Sequence, residues 1–326
     1  MTINTLIPVT IFTGFLGAGK TTLLQRILTE QHGQKIAVIE NEFGAESIDN
    51  DLLTHLAGEQ LVEMNNGCIC CTVRGDLSKM LRELYEKRQA GTINFERVII
   101  ETTGMANPGP VAQTFFMDEF VAEHYLLDAI ITIVDAKHGM QTLTEQEEAQ
   151  AQVAFADRIL ISKRDLVDDA AFNILKQRLV KMNPRAPITA IHFGSVDIKE
   201  ILDIRGFNLN AVLDISPEFL ISDAHSHDDT VSSFVFTTER LVDGKKFEDF
   251  MGAITQVYGE NMLRYKGILA LHGMERRMVF QGVHMMMGAD AGKPWAKGEK
   301  RTSKMVFIGK KLPEKTIIEG LKQCLH

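Results

Sequence analysis

The sequence predicts an α/β protein: a doubly wound, mostly parallel sheet followed by a second, smaller α+β domain. Three observations predict it. Short, nearly continuous apolar runs recur through the first two thirds of the 326 residues, as strands buried on both faces of a parallel sheet require. Helical patterns separate those runs. After about residue 205 the rhythm changes to strands with only two helices among them, which reads as a largely antiparallel sheet.

The expected strands of the first domain are Val9–Phe12, Ile36–Ile39, Leu61–Met64, Val98–Ile100, Ala129–Val134, Ile159–Ile161 and Ile188–Ile191. Helices are expected over Thr21–Gln31, Leu77–Gln89, Thr144–Ala156 and Ala170–Met182, the last stopped by Asn183-Pro184. The boundary is expected in a polar, turn-rich linker at 214–230, carrying Ser216-Pro217, Asp223, His225, His227, Asp228 and Asp229. It separates a first domain, 1–213, from a second, 231–326. There the strands are Val231–Thr237, Leu263–Leu271, Arg277–Val283 and Met305–Ile308, and the helices Lys246–Tyr258 and Glu314–Leu325.

Composition narrows the function. Apolar residues are 45% and charged residues 24%, ordinary for a globular chain. With 35 Lys and Arg against 43 Asp and Glu, the net charge is −8, which argues against a bulk electrostatic grip on nucleic acid or an anionic membrane. No apolar run of about 18 residues suggests a membrane span. The first residues lack the basic start of a secretory signal. Three of the 4 cysteines crowd into Cys68-Ile69-Cys70-Cys71, which fits a reducing cytoplasm and a metal or redox role rather than a disulfide scaffold.

Gly14-Phe15-Leu16-Gly17-Ala18-Gly19-Lys20-Thr21 is a complete G-x-x-x-x-G-K-[ST] phosphate loop, placed between a strand and a helix as its chemistry demands. The amides around Gly14, Gly17, Ala18 and Gly19 and the helix start at Thr21-Thr22 suit phosphate oxygens. Lys20 is expected to reach the β- and γ-phosphates and the Thr21 hydroxyl to ligate Mg²⁺. Glu101, at a strand's carboxyl end, is the expected organiser of the magnesium shell, and Gly104 the switch hinge whose amide meets the γ-phosphate. Asp135 is a similar strand-end acid, read evenly as structural or functional.

Ser162-Lys163-Arg164-Asp165 has the layout of the guanine-reading N-K-x-D element. Asp165 can accept both donors of guanine, N1–H and the 2-amino group, and the stem of Lys163 can lie along the base. Ser162 replaces the usual Asn. Gly194-Ser195 is a weaker candidate for closing over the base.

Three thiols within four residues offer soft ligands that suit Zn²⁺ and Cu⁺, and less well Co²⁺ or Ni²⁺. Cys68, Cys70 and Cys71 leave a tetrahedral ion one ligand short, to be met by Glu40, water or a partner's residue. An open site of this kind suits handover better than storage. Glu42, Glu46 and Asp49 lie in the same acidic stretch as Glu40, and Asp49 or one of these acids is a candidate to position the attacking water.

Taken together, these elements resemble the CobW-type P-loop GTPases, most closely their bacterial YjiA-like branch. The carriers are residues 14–22, Glu40-Asn41-Glu42-Phe43-Gly44, Gly67-Cys68-Ile69-Cys70-Cys71, Glu101-Thr102-Thr103-Gly104 and Ser162-Lys163-Arg164-Asp165. In the second domain they are Arg264-Tyr265-Lys266-Gly267, Phe280-Gln281-Gly282-Val283 and Met305-Val306-Phe307-Ile308-Gly309. The resemblance implies a slow GTPase that binds Mg-GTP and a transition metal, zinc foremost, and delivers the metal to a client metalloprotein. Two departures stand out: the His-rich stretch of some members is reduced to His225 and His227, and Ala45 stands where relatives can carry an acid. The alternative is a GTP-regulated metal buffer or sensor without a client. The sequence leaves open whether the chain forms a homo-oligomer.

Overall fold

We describe a computed structural model of the chain. The described residues are 6–30, 33–40, 74–198, 201–204, 206 and 229–326. They fall into two compact units, Met1–Lys176 with Pro187–Phe207 and Gln177–Ala186 with Asn208–His326.

The first unit is built on six strands: β1 (Ile7–Gly14), β2 (Ile36–Glu40), β3 (Arg97–Glu101), β4 (Tyr125–Asp135), β5 (Arg158–Ser162) and β6 (Ile188–Ala190). They pair only in parallel, in the order β2-β3-β1-β4-β5-β6. Every residue of β3 and all but one of β1 are buried or nearly so, because both faces of the sheet are covered. From β1 the chain goes out to β2 at the sheet edge, returns to β3 beside β1, then crosses to β4 on the other side. That reversal opens a crevice at the carboxyl ends of the strands.

Helix α1 (Lys20–Thr29) follows β1 and buries Leu23, Leu24 and Ile27, spaced to form one face. They pack with Phe12, Val38, Ile99, Ile131, Ile133 and Leu160 of the sheet. Then come α2 (Arg74–Gln89), α3 (Pro108–Met117), α4 (Glu119–His124), α5 (Gly139–Glu145), α6 (Glu147–Phe155) and α7 (Asp169–Met182).

Three departures from the sequence reading have physical reasons. Pro108-Gly109-Pro110 looks like a helix breaker, yet α3 starts there. Asn107 caps it by accepting from Gly109 N at 2.9 Å, and a proline is at home in a helix's first turn. Asp118 caps α4 in the same way, through Val121 N at 3.0 Å. The single helix expected at Thr144–Ala156 is two, because Gln146 is extended between α5 and α6. The strand expected at Leu61–Met64 lies outside the described residues.

The second unit carries an antiparallel sheet in the order β10-β9-β8-β11-β7. Its strands are β7 (Val231–Thr238), β8 (Met262–Leu269), β9 (Arg276–Val283), β10 (Met286–Pro294) and β11 (Ser303–Lys310). Helices α8 (Gly244–Tyr258) and α9 (Glu314–Gln323) supply Phe247, Met251, Ile254, Ile317 and Leu321 to one aromatic-rich core. Asp243 caps α8 with bonds from Lys245 N and Lys246 N. Strand β10 was not expected: its Gly288, Asp290, Gly292 and Pro294 are poor strand formers, tolerated because it lies at the edge. Cys324 is buried in the core, as expected of a packing residue, and burial pushes its thiol's pKa up. No helix among the described residues is long and apolar enough to cross a membrane.

Candidate functional site

Residues 15–19 link β1 to α1 and are followed at once by Lys20. Gly14 has φ +147, and a Cβ there would stand 2.3 Å from the Ile133 carbonyl oxygen, so only glycine fits where the loop leaves the sheet. Helix α1 has no side-chain cap and no acid in its first turn. Its leading amides and its dipole are thus left for an anion.

Lys20 is 8% exposed, and its ammonium donates to Gly14 O at 2.9 Å and Phe15 O at 3.4 Å. Burial lowers its pKa from the ordinary 10.5, and the negative charge of Glu101 works against that fall. Thr21 Oγ1 donates to Glu101 Oε1 at 3.1 Å. A hydroxyl and a carboxylate from two different elements therefore stand side by side next to the phosphate loop. Both are hard oxygen donors of the kind Mg²⁺ prefers, so the residues present fit that ion.

Glu101 ends β3 in register with Phe12 of β1 and Glu40 of β2. The next residue is tied back to β1, with Thr102 N donating to Phe12 O at 2.9 Å and Thr102 Oγ1 to Thr13 Oγ1 at 2.9 Å. Gly104 presses on the phosphate loop itself: a Cβ would lie 2.7 Å from Leu16 N and 2.8 Å from its Cα. Gly104, expected as the hinge whose amide meets the γ-phosphate, thus lies directly against the phosphate loop.

On the other side of the loop, Lys163 bridges two elements. Its ammonium donates to Gly17 O at 2.8 Å and pairs with Asp135 Oδ2 at 2.6 Å. Asp135 also accepts from the amides of Lys137 and His138. Burial pushes the Asp135 pKa up, but the Lys163 hydrogen bond and the two amides outweigh it and hold the group below 3.8. Asp135, read evenly as structural or functional in the sequence, is thus an ion-pair partner of Lys163. Ser162 Oγ donates to Ala18 O at 2.7 Å, tying β5 to the phosphate loop. Asp165 is partly exposed, and Asp165 Oδ1 lies 3.2 Å from His192 Nδ1.

Comparison with known proteins agrees with this geometry. The CobW/HypB/UreG nucleotide-binding domain matches residues 8–190, and the cobalamin synthesis protein cobW C-terminal domain matches 231–325. The chain belongs to the CobW/HypB/UreG family. Among its relatives, the zinc chaperone YjiA of Escherichia coli K12 is 43% identical over 313 residues, 95% of this chain and 96% of that protein. The zinc chaperone CobW of Pseudomonas aeruginosa is 30% identical over 98% of this chain and 92% of its own. The crystal structure of Zn(II)-bound YjiA GTPase superposes with a TM-score of 0.82 at 40% identity, covering 99% of this chain and all of that one.

The sequence also predicts a thiolate metal loop. Cys68, Cys70, Cys71, Glu42, Glu46 and Asp49 lie outside the described residues, as do His225 and His227. Glu40 is placed by its backbone, at the end of β2 beside Glu101. Among the described residues no group of three or more His, Cys, Asp or Glu side chains is gathered to hold a metal. The described part of the site is therefore the nucleotide end.

Two features escaped the sequence reading. The first is the pair His192-Phe193, beside Asp165. Phe193 is 74% exposed with φ +46, an uncommon backbone for a bulky residue. The second is Gln152 of α6, whose side chain reaches the segment after β3. The available signal was local: Gln152 sits in a stretch of Ala, Val and Phe buried almost all round, where a polar side chain needs a partner.

Proposed function

We propose that this chain is a GTP-dependent zinc metallochaperone: a GTPase of slow turnover that couples hydrolysis to handing zinc to a client metalloprotein. The observation that carries the reading is the apposition of Lys20, Thr21 and Glu101 at an uncapped helix start. The zinc-chaperone relatives supply the cargo.

In this reading the amides of Gly14, Gly17, Ala18 and Gly19 and the first turn of α1, including Thr22, bind phosphate oxygens. Lys20 exchanges its two carbonyl partners for the β- and γ-phosphates. Thr21 and Glu101 hold Mg²⁺, which neutralises charge on the phosphates when bound. Lys163 lines the base and Asp165 reads guanine, with His192 giving way to the incoming donors. Gly104 senses the γ-phosphate. Zinc is cargo, held by Cys68, Cys70 and Cys71 with Glu40, which ends β2 one strand away from Glu101. Loss of the γ-phosphate is felt at Glu101–Gly104 and passed to the neighbouring strand end. Co²⁺ and Ni²⁺ suit the thiolates less well and are secondary cargoes.

The test compares the reduced protein with a Cys68→Ser, Cys70→Ser, Cys71→Ser variant. The wild type is expected to hydrolyse GTP faster than ATP and to bind one zinc that the variant loses. A wild type that binds no zinc in the reduced state leaves only a nucleotide switch and contradicts the proposal.

A further inference from the structure

We infer that Gln152 is a positioning residue for hydrolysis: its buried amide holds the turn after β3, and with it Gly104, against the phosphate loop. The inference rests on the GTPase reading above.

The side chain of Gln152 is 1% exposed. Its Nε2 donates to Gly104 O at 3.0 Å and to Ala106 O at 3.0 Å, so both amide hydrogens have a carbonyl to meet. Ala106 N donates in turn to Thr103 O at 3.1 Å, closing residues 103–106 into a turn. Gln152 therefore grips that turn at two of its carbonyls. Because the peptide unit is planar and trans, fixing the Gly104 carbonyl also fixes the direction of the Met105 amide.

The grip has a firm base. Thr132 Oγ1 of β4 donates to the backbone carbonyl of Gln152 at 2.7 Å. A chain of contacts thus runs from β4 through α6 to the turn, and from Gly104 to Leu16 of the phosphate loop. The neighbouring Gln150 makes a useful contrast. Its amide bonds to Leu143 O at 2.8 Å, joining α6 to α5. Two buried glutamines two residues apart thus serve different ends, one packing helices and one reaching the hinge.

There is also room for the grip to be released. Gln152, Leu16, Gly17, Leu143 and Val153 line a cavity of about 260 Å³ beside the phosphate loop. A turn that must answer to the γ-phosphate needs a defined resting position and space to leave it. Gln152 provides the first and borders the second.

The test uses the full chain with Gln152→Met, which keeps the shape and removes both donors, and Gln152→Glu, which keeps the shape and replaces donors by acceptors. Gln150→Met is the control: it removes the buried amide that bonds Leu143 O and leaves the Gln152 amide intact. Each is measured for GTP turnover, affinity for a fluorescent GDP analogue and thermal midpoint. Both Gln152 variants are expected to lose about tenfold or more in kcat while GDP affinity stays within about twofold, the pattern of an interaction needed in hydrolysis and not in ground-state binding. Gln150→Met is expected to lower the midpoint and keep kcat within about twofold of wild type. If Gln152→Met turns over like wild type, or if kcat merely follows the thermal midpoint across all three variants, the positioning role is overturned. A wild type without GTP hydrolysis overturns the GTPase reading itself, and so is distinguishable from a failure at Gln152 alone.

Discussion

The carboxyl edge of the parallel sheet and the core of the antiparallel sheet are both buried, yet they are built from different atoms. At the first, Lys20, Glu101, Thr102, Asp135, Gln152 and Ser162 are withdrawn from water. Their polar atoms reach the phosphate loop, β1 and the turn after β3. In the second, Phe234 stacks on Phe307 at 5.1 Å and Phe247 meets Phe280 edge-on at 4.9 Å. The Tyr265 hydroxyl donates to Met286 O at 2.9 Å. Burying polar groups adds little net stability but fixes geometry, whereas burying rings adds stability with little directional demand. The contrast teaches that one region carries chemistry and the other holds its own fold, so substitutions in the two regions must fail differently.

The largest expected effect breaks the fold side of that contrast. Phe307→Ala removes a ring buried in the second unit's core and is expected to cost about 3–5 kcal/mol. Urea unfolding measures this, and KM for GTP is expected to stay within about twofold below the transition. A large change in KM would mean that the two regions are not separable. Next, Lys20→Ala removes the cation proposed to meet the transferred charge, with an expected loss of about 10²- to 10³-fold in kcat for GTP and little change in thermal midpoint. Phosphate-release kinetics checks it. Gly104→Ala forces a methyl into the Leu16 backbone, and the resulting displacement of the hinge is expected to slow hydrolysis about ten- to a hundredfold. The smallest effect is in acid. Asp135 has a folded pKa below 3.8, so its contribution to stability is present above that value and is lost as pH falls through the folded pKa. Urea midpoints of Asp135→Asn and wild type are therefore expected to differ at about pH 7 and to converge as the pH falls through the lowered folded pKa.

The sequence made the nucleotide end legible because backbone chemistry dictates it. A phosphate loop needs glycines, Lys20 and Thr21 in fixed order, and a parallel sheet places Glu101 and Asp135 at strand ends. Elements with weak or contrary local signals were harder. Strand β10 holds glycines and a proline because an edge tolerates them, and α3 begins in Pro108-Gly109-Pro110 because Asn107 caps it. The break at Gln146 leaves the helical period unchanged on either side. Gln152 was invisible for another reason: its partners, Gly104 and Ala106, stand 46 residues or more away, and no periodicity records a tertiary hydrogen bond. Asp135 illustrates the same limit. Strand position revealed the acid, and only the fold revealed that Lys163 is what it holds.

The account stands or falls on the coupling between nucleotide and zinc. The direct measurement is zinc affinity of the reduced protein, by competition with a chelating dye, once saturated with GDP and once with a non-hydrolysable GTP analogue. A GTP-driven carrier predicts a difference of about 5- to 150-fold, with the reciprocal change in nucleotide affinity when zinc is bound. Equal zinc affinities in the two states would contradict it.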